Sequence, residues 1–353
     1  MTSKRIVLVF LALLLPFSLL IGYWLHLLAE DRFDKDFRHL RQQQSLGIRL
    51  GNEALKEDFE ALFRDVAYLA ALAPIHDALN DDAEAAREQL AKQLAEFVAH
   101  KPIYSQLRLL DASGMERVRV NLTDTGISIT PQPQLQNKAD RYYVQETLRL
   151  APGHIYVSPI DLNMERGKVS TPFEPMVRLS TPIFAGDQLK GMLILNYRAA
   201  LLLQYFRDAT REVPGEVMLL NTDGFWIVAP DPDKEWGFMR NRSDLTLAQS
   251  QPDIWSRIRN TNKGQVSLTS GLWTWESQFL IYSDFAANLH APAGQTPMIF
   301  DQNIWKTVTL VPKTQLDNIK QESRTQLFRL GLVLLLAWSG LALAFCHSKW
   351  QKA

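Results

Sequence analysis

The residue whose type and setting most directly suggest chemistry in this chain is Arg178, which lies inside the apolar run from Met176 to Phe184. Period-two alternation puts it on one strand face with Met176 and Ser180. A guanidinium buried among such neighbours is costly without an anion. The setting therefore predicts either a bound anionic group or an internal ion pair, with Asp161 or Glu174 as the partner. A second possibility is an aromatic cage for a cation, because Trp226, Trp236, Trp255, Trp273 and Trp275 fall close together, although such rings more often fill a core. Catalytic chemistry is thinly represented. The His residues at 26, 39, 76, 100, 154, 290 and 347 lack the pairwise spacing of a metal site. No Gly-x-Ser-x-Gly elbow, phosphate loop or dinucleotide fingerprint occurs. The chain reads as a binder and not an enzyme, with no metal or cofactor expected.

Composition narrows the partners. Lys plus Arg and Asp plus Glu balance at 38 each, so no basic surface is available for nucleic acid. The single cysteine, Cys346, allows no disulfide within the chain, which suits a bacterial periplasm better than an animal ectodomain.

Two apolar runs, Ile6 to Leu28 and Leu327 to Phe345, each approach the ~20 residues that cross a bilayer as a helix. The first exceeds a signal-peptide core and no small-x-small cleavage site follows it, so it reads as a retained anchor. Lys4 and Arg5 precede it, and His347, Lys349 and Lys352 follow the second run. The positive-inside rule then puts both termini in the cytoplasm and the middle of the chain outside. The expected location is a bacterial inner membrane, crossed twice.

The elements that must position Arg178 lie between the spans. From Ala29 to Ala73 no proline occurs, and Phe33, Phe37, Leu40, Gly47, Gly51, Leu55, Phe59, Leu62, Val66 and Leu69 form a stripe at helical spacing. Such a helix carries the chain some 65 Å from the membrane. Its distal half is expected to pack on its own subunit. Its membrane-near half has no obvious cover, which predicts a parallel homodimer. A second helix is expected over Ala83–His100.

From Ser105 the period becomes two. Strands are predicted around Asp111-Ala-Ser-Gly, then over His154–Ile160, Met176–Phe184 and Leu189–Asn196, with helices over Asp140–Leu150 and Tyr197–Arg207. The plan repeats loosely around Thr222-Asp-Gly, with strands over Glu216–Asn221, Phe225–Ala229, Gly264–Thr269, Gln278–Ser283 and Ile304–Pro312 and a helix over Asp253–Arg259. The fold class is α+β, two antiparallel-sheet modules in tandem on a long helix. The expected divisions are a cytoplasmic start (1–5), a first span (6–28), a long periplasmic helix (29–73), a membrane-distal module (74–207), a membrane-proximal module (208–312), a linker helix (313–326), a second span (327–346) and a short cytoplasmic tail (347–353).

The successive segments DRYYVQETL, GHIYVSPIDLN, PFEPMVRLSTPIF and GMLILNY, between Asp140 and Tyr197, resemble the distal module of bacterial double Cache domains. These are tandem PAS-like periplasmic inputs of chemoreceptors, histidine kinases and diguanylate cyclases. The resemblance implies a ligand pocket between the sheet and the Tyr-Tyr helix. It nominates Tyr142, Tyr143, Tyr156, Ser158, Asp161, Arg178 and Asn196, with aromatic faces enclosing a small organic body while Arg and Asp fix its charged groups. Relative to the amino-acid-binding subgroup, Asp140, Tyr142 and Asn196 stand where that subgroup resembles an Arg, a Trp and an Asp. A carboxylate held by Arg178, or an amine held by Asp140 or Asp161, is therefore expected before an ordinary α-amino acid.

Family members normally continue into a kinase, cyclase or methyl-accepting coiled coil, whereas this chain ends at Ala353. The expected role is a sensory subunit that signals through a separate membrane protein. The alternative is a periplasmic protein-binding or assembly module.

Overall fold

The computed structural model describes residues 3–80, 83–165, 168–279 and 304–351. His290, Lys352 and residues 280–283 of the strand expected at Gln278–Ser283 lie outside them. Helix α1 runs unbroken over Ser3–Ala70 with Pro16 inside it, so the expected span and stalk are one rod of about 100 Å. Two further helices follow, α2 (Ala73–Asp77) and α3 (Glu84–His100).

The distal sheet is built from β1 (Tyr104–Asp111), β2 (Glu116–Thr123), β3 (Gly126–Ile129), β4 (Tyr156–Val157), β5 (Asp161–Leu162), β8 (Pro175–Ala185) and β9 (Gln188–Arg198), in the order β3-β2-β1-β9-β8-β4, with β5 also on β8. A small hairpin, β6 (Met164–Glu165) with β7 (Lys168–Val169), stands beside it. Strand β4 is much shorter than the expected His154–Ile160, because Pro159 cannot extend the ladder beyond Ser158. Helix α4 (Tyr142–Leu148) lies over one sheet face and α5 (Ala199–Ala209) closes the module.

Alternation divides the sheet. Leu107, Leu109, Val177, Leu179, Leu193, Leu195 and Tyr197 are buried in one core with Phe59, Leu62, Val66 and Leu69 of α1 and with α3. Leu110, Met192 and Ile194 face the other way, against Tyr143, Val144 and Leu150. Helix α1 is also tied down by hydrogen bonds. Tyr104 donates to Asp65 at 2.6 Å, and the Tyr197 hydroxyl donates to Asp58.

The proximal sheet repeats the plan with β10 (Glu216–Leu220), β11 (Trp226–Val228), β12 (Lys263–Leu268), β13 (Gly271–Phe279) and β14 (Ile304–Pro312), ordered β11-β10-β14-β13-β12. Helices α6 (Leu247–Ser250) and α7 (Pro252–Asn260) cover it. The two hairpin turns share one device. Asp111 accepts the Ser113 and Met115 N–H groups while Gly114 takes φ +82°, and Asn221 accepts those of Asp223 and Phe225 while Gly224 takes φ +85°. Such Asx turns need a residue free of Cβ at the left-handed position.

Strand β13 starts seven residues earlier than expected and carries Trp273 and Trp275. These two, with Trp226 and Trp255, are buried against Ile254 and Ile258 of α7, and Trp236 joins the main core. The indoles therefore fill core instead of forming a cage. Their N–H groups are matched where described: Trp273 donates to Ser270 at 2.8 Å and Trp275 to Thr261 at 3.0 Å.

The membrane-near half of α1, expected to lie open for a second copy, is covered by the chain itself, through the proximal sheet and the end of α5. Thr307 donates to the Asn52 side chain at 2.6 Å, Thr309 to Gln44, and Gly51 lets Thr210 and Phe206 approach its backbone. Polar residues at Gln44 and Asn52 concealed this packing face, because the stripe is read from apolar and small positions.

Helix α8 (Lys313–Gln351) continues directly from β14. It runs beside α1, with Phe17 stacked on Trp338 at 4.0 Å and Glu30 meeting Arg324 at 3.0 Å and Lys320 at 3.7 Å. Both α1 and α8 are long and apolar enough to cross a membrane.

A Cβ at Gly51 would stand 2.8 Å from Thr210 and 2.9 Å from Phe206. Gly51→Val is expected to destabilise the chain by about 1–3 kcal/mol through overpacking, whereas Arg49→Ala, at an exposed position, stays within about 0.5 kcal/mol. Denaturant titration of both variants checks this.

Burial raises the Asp58 carboxyl above its ordinary 3.8, against the opposing hydrogen bond from Tyr197. The folded chain thus keeps this proton where the unfolded chain has released it. The site's relative stability is greatest below pH 3.8 and declines as pH rises through the raised value. Asp58→Asn is expected to flatten that decline in a series of melts at stepped pH.

Candidate functional site

The outer face of the distal sheet gathers charge under α4. Arg178 on β8, Asn196 on β9 and Gln106 on β1 are in register, and in the next row Ser180, Ile194 and Arg108 align. Helix α4 is short, and Tyr143, Val144 and Thr147 form its buried face. Thr147 hydrogen-bonds Ser180, seating the helix on β8.

Arg178 is 9% exposed. Its Nη1 donates to both Asp161 oxygens at 2.8 Å and reaches the Tyr142 hydroxyl at 3.4 Å, while that hydroxyl donates to Asp161 at 3.0 Å. Of the two settings expected for Arg178, the internal ion pair with Asp161 is therefore present. Burial alone would lower the guanidinium pKa, and the adjoining Asp161 carboxylate outweighs it and holds the group above its ordinary value. The Tyr142 phenol is raised, first by burial and then by Asp161. Tyr156 lines the same face, its phenol pushed up to about 12 by burial.

The remaining sequence-predicted residues divide. Tyr143 is buried, and its hydroxyl accepts from Arg108 Nη1 at 2.9 Å. Asn196 accepts from Arg108 Nη2 at 2.9 Å. Ser158 is buried but its hydroxyl is engaged by backbone, accepting the Arg178 N–H at 2.9 Å, so it holds the strand edge. Asp140 stands apart: it is exposed in the turn before α4.

Two residues of this cluster were missed by sequence reasoning, Arg108 and Glu116. Arg108 is 3% exposed on β1, and the Glu116 carboxylate on β2 lies 3.9 Å from its Nη1. Burial pulls the Arg108 guanidinium below its ordinary value, opposed by Tyr143 and Glu116. Its Nε and Glu116 Oε1 are buried without a hydrogen-bond partner. Arg108 carries the same signal that singled out Arg178, a guanidinium between apolar strand neighbours, Leu107 and Leu109. The Cζ atoms of Arg108 and Arg178 each lie 5.3 Å from the centre of the Tyr143 ring. A cavity of about 260 Å³ opens on the β2 side of this cluster, lined by Glu116, Arg119, Ala91, Ile129 and Leu135 among others.

A model of the bacterial histidine kinase sensor domain matches residues 58–282. The chain belongs to that family. Its fold is also that of several solved sensors. The domain of a sensory box/GGDEF family protein from Vibrio parahaemolyticus superposes with a TM-score of 0.60 at 19% identity, over 79% of this chain and 99% of that one. The extracellular domain of the histidine kinase vpHK1S-Z8 gives 0.55 at 20% identity, over 83% and 94%. The ligand-binding domain of the Campylobacter jejuni chemoreceptor Tlp3, in complex with 4-methylisoleucine, gives 0.51 at 12% identity, over 80% and 94%. No curated protein matches the chain. The sensor-domain fold is thus the tandem Cache arrangement that the Asp140–Tyr197 segments resemble.

Arg108→Met is expected to cost about 1–3 kcal/mol, because it leaves the buried Tyr143 hydroxyl and Asn196 oxygen without their donor and leaves Glu116 with Arg119 alone. Adding Glu116→Gln should return part of that loss, with a coupling of about 0.5–3 kcal/mol in a double-mutant cycle measured by chemical denaturation.

Proposed function

We propose that this chain is a membrane-anchored periplasmic sensor subunit that binds a small molecule on the outer face of its distal sheet, among Tyr142, Tyr143, Tyr156, Asp161, Arg178 and Asn196. Binding shifts α1 and α8, which pass the change through the membrane to a separate signalling protein of the kinase, cyclase or chemoreceptor type. The family supports the sensory role, and the two apolar helices support the anchoring.

The observation that carries this reading is the coupling across β9. Asn196 meets Arg108 in the outer cluster, and its chain neighbour Tyr197 holds Asp58 of α1 on the inner face. A ligand that moves β9 by drawing on the cluster therefore acts on α1 one residue away. The proximal module adds a second grip on α1 through Thr307 and Asn52, on the same strand that runs into α8. A second copy of the chain would pair through Leu46 and Leu50, exposed one helical turn apart on α1.

The chemoreceptor neighbour is recorded with an amino acid analogue bound. Here the guanidinium and carboxylate of the outer cluster already hold each other through Arg178 Nη1, so a ligand carboxylate either takes the other edge of the guanidinium or competes with Asp161 for Nη1.

The full chain, reconstituted in nanodiscs, is expected to gain several degrees in melting temperature with one class in a panel of carboxylates, amines, purines and sugars, and to lose that gain in Arg178→Gln. A panel without any Arg178-dependent shift sinks the sensing role. A reporter fused after Ala353 is expected to read as cytoplasmic, and in-cell crosslinking from α8 should capture a membrane signalling protein.

A further inference from the structure

We propose that the cavity between α3 and β2 is a second binding site, separate from the one proposed above, for a neutral carboxamide on a short aliphatic body. Of the cluster described above only Glu116 lines it. The proposal therefore stands or falls independently of the distal-site reading.

The chain opens this cavity with two prolines. After β3, the segment 130–136 pairs with β2 at its two ends, where the Thr130 N–H donates to the Arg119 carbonyl at 2.9 Å and the Glu116 N–H donates to the Gln136 carbonyl at 3.1 Å. Between those bonds Pro131 and Pro133 have no N–H to give, and the chain bows away through the short 3₁₀ turn Gln132–Gln134. The resulting space is about 260 Å³ and is lined by the buried Ala91 of α3 and Val118 of β2 and by the half-buried Leu135. Since an apolar cavity of about 150 Å³ holds benzene, this one takes a molecule of about ten non-hydrogen atoms.

The polar group that marks the site is Glu116. Its side chain is fully buried, and Oε2 accepts the Gln136 N–H at 3.1 Å, whereas Oε1 has no hydrogen-bond partner. A buried carboxylate oxygen left unpaired costs free energy that an incoming donor recovers. Arg119, also on the lining, donates Nε to Asn121 at 2.9 Å and makes no hydrogen bond through Nη1 or Nη2 among the described residues. Its Nη1 stands 3.9 Å from the Glu116 carboxylate. An open acceptor beside an open donor is complementary to an amide, whose N–H donates while its carbonyl accepts.

Charge decides against the ionic alternatives. Arg108 and Arg119 each lie 3.9 Å from one Glu116 oxygen, so the charge of this carboxylate is answered while its hydrogen-bonding capacity is not. An ammonium group seated on Oε1 would meet both guanidiniums, and a carboxylate would bring no proton to Oε1 and be repelled by it. An anion would also pass Glu84 and Glu88, exposed one turn apart on the α3 side of the lining. The other two arginines there are spent within the chain, Arg117 on Asp111 and Arg87 on the carbonyls of Ala78 and Asn80. A neutral head carries none of these costs. Its aliphatic body would bridge α3 and β2, both of which pack in the core that holds α1.

The test titrates the full chain in nanodiscs calorimetrically, against empty discs, with hexanamide and with three molecules of similar length: heptan-2-one, which lacks the donor, hexanoate and hexylamine. Hexanamide is expected to bind about tenfold or more tighter than each, the worth of one hydrogen bond to a charged oxygen. Glu116→Gln should bring it down to the heptan-2-one level. If that variant does not fold, Ile129→Trp, at an exposed position on the lining, fills the opening with Glu116 intact and is expected to abolish hexanamide binding at an unchanged melting temperature. Binding is expected to survive Arg178→Gln. Heptan-2-one, hexanoate or hexylamine binding as tightly as hexanamide overturns the carboxamide assignment. Hexanamide binding that is lost in Arg178→Gln, or that withstands both Glu116→Gln and Ile129→Trp, lies elsewhere and overturns the site. Absence of binding by all four molecules means that the cavity holds water only, and overturns the proposal while leaving the distal site standing.

Discussion

The pleat of one strand, β9, is the constraint on which the rest of the molecule depends. Successive side chains of a strand point to opposite faces, and β9 sits at the centre of the distal sheet between β1 and β8. Its odd positions, Leu193, Leu195 and Tyr197, are buried against the long helix, and its even positions, Met192, Ile194 and Asn196, face α4. Because a one-residue slip would exchange the two sets, apolar packing on both faces locks the register. That same register brings Asn196 to Arg108 and Tyr197 to Asp58.

The long helix turns this local arrangement into a property of the whole chain. It contacts the distal sheet through an apolar stripe with Asp58 and Asp65 along it, α5 and the segment after it at Gly51 and Gly47, and the proximal sheet through Gln44 and Asn52. The two sheet contacts differ in kind. The distal one is mostly buried hydrocarbon with tyrosine hydroxyls as fasteners, while the proximal one includes threonine hydroxyls donating to side-chain amide oxygens. Directional bonds of the second kind fix the rotation of a helix about its axis better than dispersion contacts alone. Near the apolar ends, Glu30 is drawn between Lys320 and Arg324 of α8, which lowers its carboxyl through the Arg324 hydrogen bond. This exposed clasp contributes little stability, and it sets the two helices in register where they leave the folded domain.

Particular residues show why some of this was readable beforehand. The hairpin at Asp111-Ala-Ser-Gly was legible because an Asx turn needs Asp or Asn first and Gly at the left-handed position, both local demands. Strands β8 and β9 were legible from their alternation. Strand β13 begins at Gly271, ahead of the expected Gln278, and the neighbour that gives Trp275 its place, Gly264 on β12, is identifiable only once the two strands pair. Arg108 was passed over although its setting matches that of Arg178, since its acceptors, Tyr143 and Asn196, are 35 and 88 residues away.

The sequence by itself determined the two apolar helices, the tandem α+β plan and the presence of a buried guanidinium on the Met176–Phe184 strand, because each follows from periodicity or composition within a few residues. Tertiary structure alone decided which carboxylate Arg178 holds, that a second arginine shares its face, and that the membrane-near part of α1 is covered. Each of those is a pairing between segments far apart in the chain. Local pattern fixes which face a side chain takes, but the identity of its partner depends on strand order and register, which only the assembled sheets supply.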